Sequence, residues 1–481
     1  MDSFPGNDLT VGALEALKNK LATLKADGTM LSIEDLAQNL FNKTLQEAAE
    51  DLRIRDDPSG KQATQATQIL KVYLILSDAE CDRVVKLRSR RGGDAHFRQQ
   101  RQRADSTTPE EERNFYIMMQ QIGEEMHHSH RIFSIAFVPD AQVNILDLCM
   151  APGGYTAAAL SHRSAFQAYG ITLAPESGGH TIIIDKNRLQ GLRFHDITMF
   201  KEFCPGGKEI PECFKSRFSD IRPYKSIKFH LVFADGKTLR THDRLKDTYD
   251  ANLNKETVRL QTSQLILAMN RMHNGGTLVM LLHKVDTWHS AFLLYTFSKF
   301  AKVEIFKPIK KHATRSSFYM VATDINVNHT IALTAIESWK EDWFRATFGG
   351  PDKTGLPKEE PRSEVVQELL TEFGPKLIEL GHKAWMVQAN ALSYTSYAGS
   401  KNDGIKLGLR KRVWGGLKEI FKDHHEGLRM ERGRGYAPIG GRGAGGWVAA
   451  SDGHITSRSD NQVASPIASI TGDNRAVFMM G

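Results

Sequence analysis

The hydrophobic pattern of the chain changes period twice. Over residues 8–53, "LTVGALEALKNKLATLKA" and "SIEDLAQNLFNKTLQEAAEDL" repeat apolar residues at spacings of three and four, which predicts helices, and Ser32 with Asp35 resembles a capping box. Residues 54–68, "IRDDPSGKQATQATQ", are polar, carry Pro-Ser-Gly and read as a linker ahead of the short apolar run "VYLILS". From about 110 to 323, strand-length apolar runs alternate with helical periods, the signature of a doubly wound α/β sheet. Seven strands are expected, in "VNILDL", "FQAYGITL", "GLRF", "KFHLVFA", "GTLVMLLH", "AKVEIF" and "SSFYMVA". Helices are expected between them in "NKETVRLQTSQLILAMNRMH" and "TWHSAFLLYTFSKF". Beyond residue 325 the helical period returns, interrupted by "GGPDKTGLPKEEPR", and both a second helical domain and a cover over the sheet satisfy it. Residues 431–481 open with "ERGRGYAPIGGRGAGGW" and continue polar and patternless, a composition expected to stay disordered.

Composition narrows this picture modestly, whereas charge narrows it more. No run approaches the roughly 18 apolar residues of a membrane helix, so no membrane partner is expected. Met1-Asp2-Ser3-Phe4 begins without a basic or apolar leader, and Cys81, Cys149, Cys204 and Cys213 show no CxxC spacing. An intracellular protein, nuclear or cytoplasmic, without a metal site is therefore expected. The formal net charge is +7, and the stretch Arg83 to Arg103 holds eight Lys/Arg against one acid, leaving 55 of each sign elsewhere. Clustered cations displace counterions from phosphates, so Arg83, Lys86, Arg88, Arg90 and Arg91 are candidate RNA contacts. A solvated linker is the alternative reading of the same run.

The stretch "ILDLCMAPGGYTAAAL" carries the most chemistry. An apolar strand ending in an acid and passing through glycines into a helix puts backbone N–H groups at the carboxyl edge of the sheet, where open α/β sheets bind ligands. Gly153 and Gly154 are expected to let a ligand approach the backbone closely. The spacing is not the G-x-G-x-x-G of a dinucleotide site.

Four motifs taken in order resemble the FtsJ/RrmJ-type RNA ribose 2′-O-methyltransferases: "DLCMAPGGYT", "AYGITL", "FHLVFADG", and "LQTSQLILAMNRMHNGGTLVMLL" with "VEIFKPIKKHATRSSFYMVA". The resemblance covers roughly residues 110–323. It implies a Rossmann-like seven-stranded methyltransferase sheet (110–325), which the sequence pattern flanks with a helical accessory region (1–75), a basic segment (76–109), a helical C-terminal region (326–430) and a Gly/Arg-rich disordered tail (431–481). It also implies S-adenosylmethionine as cofactor and RNA as partner. Ala151, Pro152, Gly153, Gly154 and Tyr155 would line the cofactor's methionine end, with Asp147 and Cys149 supporting the turn. Leu173 stands near the ribose position, where many relatives carry an acid, and Asp196 matches the acid on the adenine side. A cap for the segment "ITMFKEF" is the alternative role for Asp196.

The family's catalytic tetrad is Lys-Asp-Lys-Glu, and only Asp235 of "FADGK" matches it. Leu281 stands at the central lysine, Ser317 at the glutamate, and Tyr116 near the first lysine. Alternation along a strand puts His283 on the face of Leu281, about 6–7 Å further on, while Lys284 would need a bulge to join it. Lys237 is a third candidate beside Asp235. Three readings follow: a transferase acting on RNA ribose with altered catalytic residues, a module that binds cofactor or RNA without transferring methyl, and a transferase for a small molecule or protein.

Overall fold

The computed structural model describes residues 64–88, 108–135, 142–238 and 249–395. The expected helices within 8–53, those beyond residue 403, the basic residues Arg90 and Arg91 and the Gly/Arg-rich tail lie outside them. All seven expected strands form: β1 (Asn144–Leu148), β2 (Gln167–Thr172), β3 (Leu189–Phe194), β4 (Phe229–Ala234), β5 (Met272–His283), β6 (Lys302–Phe306) and β7 (Ser317–Ile325). They make one sheet in the order β3-β2-β1-β4-β5-β7-β6. Pairings from β3 to β5 are parallel, and β7 runs antiparallel to both β5 and β6. β5 begins four residues earlier than its apolar run, at Met272, with Gly275 in the left-handed region at φ 81°.

Each strand divides its apolar side chains between two cores because the pleat has period two. Ile145, Leu231, Phe233, Val279, Tyr319 and Val321 meet the helices α3 (Pro109–His130) and α4 (Gly154–His162) on one face. Leu146, Leu148, Val232, Leu278, Met280 and Met320 face the opposite way. There they share a core with α1 (Gln65–Ser77), α2 (Ala79–Arg88), α5 (Tyr249–Arg271), α6 (Trp288–Ser298), α7 (Thr330–Phe348) and α8 (Ser363–Ser393). The C-terminal helices thus cover the sheet, packing α7 on α5 and α8 on α1 and α2.

Residues 65–68, expected in a linker, open α1 instead, with Thr64 capping the helix through its side chain. The misreading has a physical reason. α1 is buried on every side from Ala66 to Ile75, so even Thr67, Gln68 and Lys71 are interior and the polar sequence carries no surface signal. α3 starts where local chemistry says it should: Thr108 and Glu111 form a reciprocal capping box ahead of Pro109 at the first helical position. Among the described residues no helix is long and apolar enough to cross a membrane, and no cluster of three or more potential metal ligands occurs.

Candidate active site

β1 ends at Leu148, and the chain turns through Cys149 in the left-handed region, a cis Ala151–Pro152 bond and Gly153 at φ 97° before α4 begins. The two glycines allow close packing. A Cβ on Gly153 would lie 2.5 Å from Ile184 Cγ2, and one on Gly154 would lie 2.4 Å from Met119 Cβ and 2.6 Å from the Tyr116 carbonyl oxygen. Their bare faces therefore meet α3 and Ile184.

A cavity of about 280 Å³ opens beside this turn, at the carboxyl ends of β1, β2, β3 and β4. Cys149 and Ala151 after β1, Thr172 and Leu173 at β2, His195 and Asp196 after β3, and Asp235 after β4 all line it. Phe115, Met118, Met119 and Ile122 of α3 form an apolar wall. Asp147, Pro152, Gly153 and Gly154 are not among the residues that line it. Asp147 is buried and accepts a hydrogen bond from Thr156 Oγ1 at 2.7 Å; burial pushes its carboxyl up to about 8 against that bond. Burial likewise pushes the Cys149 thiol up, so it is no nucleophile at neutral pH.

Asp196 holds the turn after β3 and faces the cavity. One carboxylate oxygen accepts from the Thr198 amide at 3.0 Å and the Thr198 hydroxyl at 2.8 Å, while the residue also lines the cavity. The same turn is held from the far side by Trp343 of α7, fully buried, whose indole N–H donates to the Thr198 carbonyl at 3.0 Å. The C-terminal helices thus brace one wall of the cavity.

Asp235 sits at the end of β4 with Oδ1 buried and without a hydrogen-bond partner. Burial pushes its carboxyl up to about 7, opposed by the Lys237 ammonium and the Tyr155 hydroxyl. Tyr155 and Tyr319, both buried, bring their hydroxyls to 2.5 Å of one another beside it. Leu281 and His312 complete this end of the cavity, and burial pushes the His312 imidazole down to about 4.

The structure separates several residues that the sequence grouped with Asp235. β5 and β7 pair without a bulge from Leu281–Tyr319 to His283–Ser317, so Lys284 never reaches the Leu281 face. It takes φ 52° at the strand end and lies among Lys71 and Asp286 instead. His283 lies one pleat beyond Leu281, in an adjoining hollow of about 350 Å³ that shares Lys237 and Leu281 with the first. The surrounding protein, with Lys284 and Lys237, pushes its imidazole down to about 3, although its edge reaches solvent. Ser317 is absent from the lining, and Tyr319, two residues on, faces the cavity in its place. Tyr116 turns away, and Met118 and Met119 stand on the cavity side of α3.

The basic segment also changes meaning. Arg83 pairs with Glu80 at 3.0 Å and Lys86 with Asp82 at 2.8 Å along α2. Arg88 is interior, only 13% exposed, and bonds Asp286 at 2.8 Å and Gln388 at 2.5 Å. It is a tie between α2, the β5–α6 turn and α8, not a surface cation for RNA.

Residues 124–325 match the family model described as FtsJ-like methyltransferase. This part of the chain is an FtsJ-like methyltransferase domain. Its mixed seven-stranded sheet is the Rossmann-like methyltransferase fold, and the FtsJ-like segment includes every strand. Phe115, Met118 and Met119 precede the matched residues and Trp343 follows them, so the domain's cavity is completed from outside it. Among solved structures, a Plasmodium falciparum ribosomal RNA methyltransferase is 14% identical, with 43% of this chain and 96% of that one covered at a TM-score of 0.27. A Streptococcus thermophilus rRNA methylase is 12% identical, with 42% and 96% covered at 0.25. A TehB-like SAM-dependent methyltransferase from Corynebacterium glutamicum is 14% identical, with 45% and 99% covered at 0.23. No curated protein matches the chain.

Tyr319, His312, His195 and the α3 wall were missed in the sequence. The antiparallel register of β5 and β7 puts Tyr319, not Ser317, across from Leu281.

Proposed function

We propose that the FtsJ-like domain binds S-adenosylmethionine in the cavity at the ends of β1 to β4 and transfers methyl to RNA, with a ribose 2′-hydroxyl as acceptor. One observation carries the cofactor reading. Four successive strand ends bring Cys149, Leu173, Asp196 and Asp235 to one mostly apolar cavity, and the last of these offers a buried carboxylate oxygen with no protein partner. An unpaired buried acceptor is costly and is retained where a ligand completes it. The volume lies just below the range of about 300–1,000 Å³ usual for ligand pockets.

When bound, the cofactor supplies an electrophilic methyl on a sulfonium. The chain's own part is to orient both partners and to receive the acceptor's proton, and a carboxyl near neutrality is suited to that task. RNA as acceptor is supported by cations beside the cavity: Lys310 and Lys311 are exposed next to His312, and Arg193 is exposed near His195.

A second reading, a domain that holds cofactor without transferring methyl, is favoured by the apolar Leu281 at the central lysine position. Isothermal titration with S-adenosylmethionine, followed by tritiated methyl transfer to total RNA, protein and small-molecule extracts, separates the two. Binding with label in RNA, lost in Asp235→Asn, is expected. Binding with no label in any extract selects the second reading, and label confined to protein or small molecules removes RNA as the acceptor.

A further inference from the structure

The hollow of about 350 Å³ around His283 stands outside the proposed chemistry, although it shares Gly236, Lys237 and Leu281 with the cavity that holds Asp235. Its rim is completed from outside the FtsJ-like segment, by Thr64 ahead of residues 124–325 and by Pro357 and Lys358 after them. Among the described residues that line it there is no aspartate or glutamate. Nitrogen groups line it instead: Lys237 after β4, His283 at the end of β5, His289 in the first turn of α6, and Lys358. Lys358 is paired with Asp342 at 2.5 Å. Lys237, His283 and His289 are exposed, and their side chains hydrogen-bond none of the described residues.

The backbone that carries these groups is fixed. Gln264 is buried and clamps the segment between Asp235 and Lys237: its Oε1 accepts from the Gly236 amide at 2.8 Å, and its Nε2 donates to the Gly236 carbonyl at 3.2 Å. On the other wall the His283 carbonyl accepts from the Ser290 hydroxyl at 2.8 Å and the Thr287 hydroxyl at 3.3 Å, which ties the end of β5 to the start of α6.

We infer that this hollow binds the RNA phosphate next to the acceptor ribose, through Lys237, His283 and His289. The inference rests on the function proposed above. Charge complementarity carries it: three donors with no carboxylate in their lining fit an anion with several acceptor oxygens, and phosphate is the anion that every RNA brings. Position chooses the phosphate. In RNA the 3′-phosphate sits on the carbon next to the one bearing the 2′-hydroxyl, so an acceptor hydroxyl at Asp235 places a phosphate a short step away. The wall shared at Lys237 and Leu281 is where that step leads from one space into the other. Burial and the neighbouring lysines hold both imidazoles below their ordinary range, so each is neutral at pH 7 and keeps one N–H to donate. The charge comes from the Lys237 ammonium, which Asp235 favours. No bond forms or breaks in the hollow, and the three side chains are positioning residues for the acceptor.

The test uses the full chain without cofactor, its histidines labelled with ¹³C at Cε1. The His283 and His289 signals are assigned by their loss in His283→Gln and His289→Gln, and thermal melting checks that each variant keeps the fold. A short oligouridylate, uridine and inorganic phosphate are titrated separately. The oligouridylate is expected to move both signals, uridine to move neither, and inorganic phosphate to move both only at far higher concentration. Lys237→Gln should weaken oligouridylate binding by roughly ten- to a hundredfold and lower its slope of log affinity against log salt by about 0.7. Both signals standing still while the oligouridylate binds elsewhere on the chain overturns the inference, and so does no binding at all. Signals moved by inorganic phosphate but not by the oligouridylate overturn RNA as the source of the phosphate. Signals moved by the oligouridylate, with no methyl transferred by the parent once cofactor is added, support the hollow and overturn the transferase reading instead.

Discussion

Leu281 of β5 lies directly opposite Tyr319 of β7, and both side chains enter the cavity that holds Asp235. The position where the sequence resemblance led us to expect a lysine is therefore apolar, and the polar group nearest in the pairing is a tyrosine hydroxyl. The cation that remains beside Asp235 is Lys237, two residues along the same segment. The consequences reach stability as well as chemistry.

Asp147 and Asp235 are raised to about 8 and about 7, whereas an unfolded aspartate titrates near 3.9. Both hold a proton more tightly folded than unfolded, so their contribution is complete below about pH 4 and is lost as pH rises through 7 and 8. Relative to the parent, Asp147→Asn is expected to lose less stability between pH 5 and pH 8, by at most about 1.4 kcal/mol per pH unit. Asparagine can still accept from Thr156. Calorimetric melting of both proteins across that range checks it, and parallel curves would contradict the raised carboxyl.

Arg88→Ala is expected to destabilise the chain by about 3–5 kcal/mol, because it strands a buried charge. Asp286 is held well below the usual carboxylate range against the burial that opposes it, by Arg88, Lys71 and Lys284. Denaturant unfolding of Arg88→Ala, Asp286→Ala and the double variant measures the coupling. The double variant should cost less than the two singles together.

Gly154→Ala should cost about 1–3 kcal/mol through overpacking against α3, whereas Gly206→Ala, with open space around it, should be close to neutral. Urea midpoints of the two variants compare them directly. Equal midpoints would mean that α3 yields where the two helices touch.

Lys310→Ala with Lys311→Ala is expected to weaken RNA binding and to flatten its salt dependence. The slope of log affinity against log salt should fall by about 0.7 for each single-strand phosphate contact removed. Filter binding from low to moderate salt reads it. An unchanged slope would take the loop beside His312 out of the RNA surface.

Much of the fold was legible because its signals are local. Apolar runs of strand length separated by helical periods located all seven strands. α1 escaped because burial on every side erases the amphipathic contrast on which such reading depends. Asp196, Asp235, Cys149 and Leu173 were legible as strand-end residues, and the structure gathers them into one cavity.

The sequence by itself determined the apolar runs of the strands, the turn after β1 and the residue types at Tyr116, Leu281 and Ser317, since each is a matter of residue type and spacing along the chain. Only the tertiary structure decided what surrounds Asp235. The β5–β7 register brought Tyr319 rather than Ser317 to it, and the regular end of β5 sent Lys284 away. The docking of α2 on α8 turned Arg88 from a surface cation into an interior tie. These outcomes depend on pairings between residues far apart in sequence, where side-chain direction follows from strand register and helix packing rather than from the identity of neighbours.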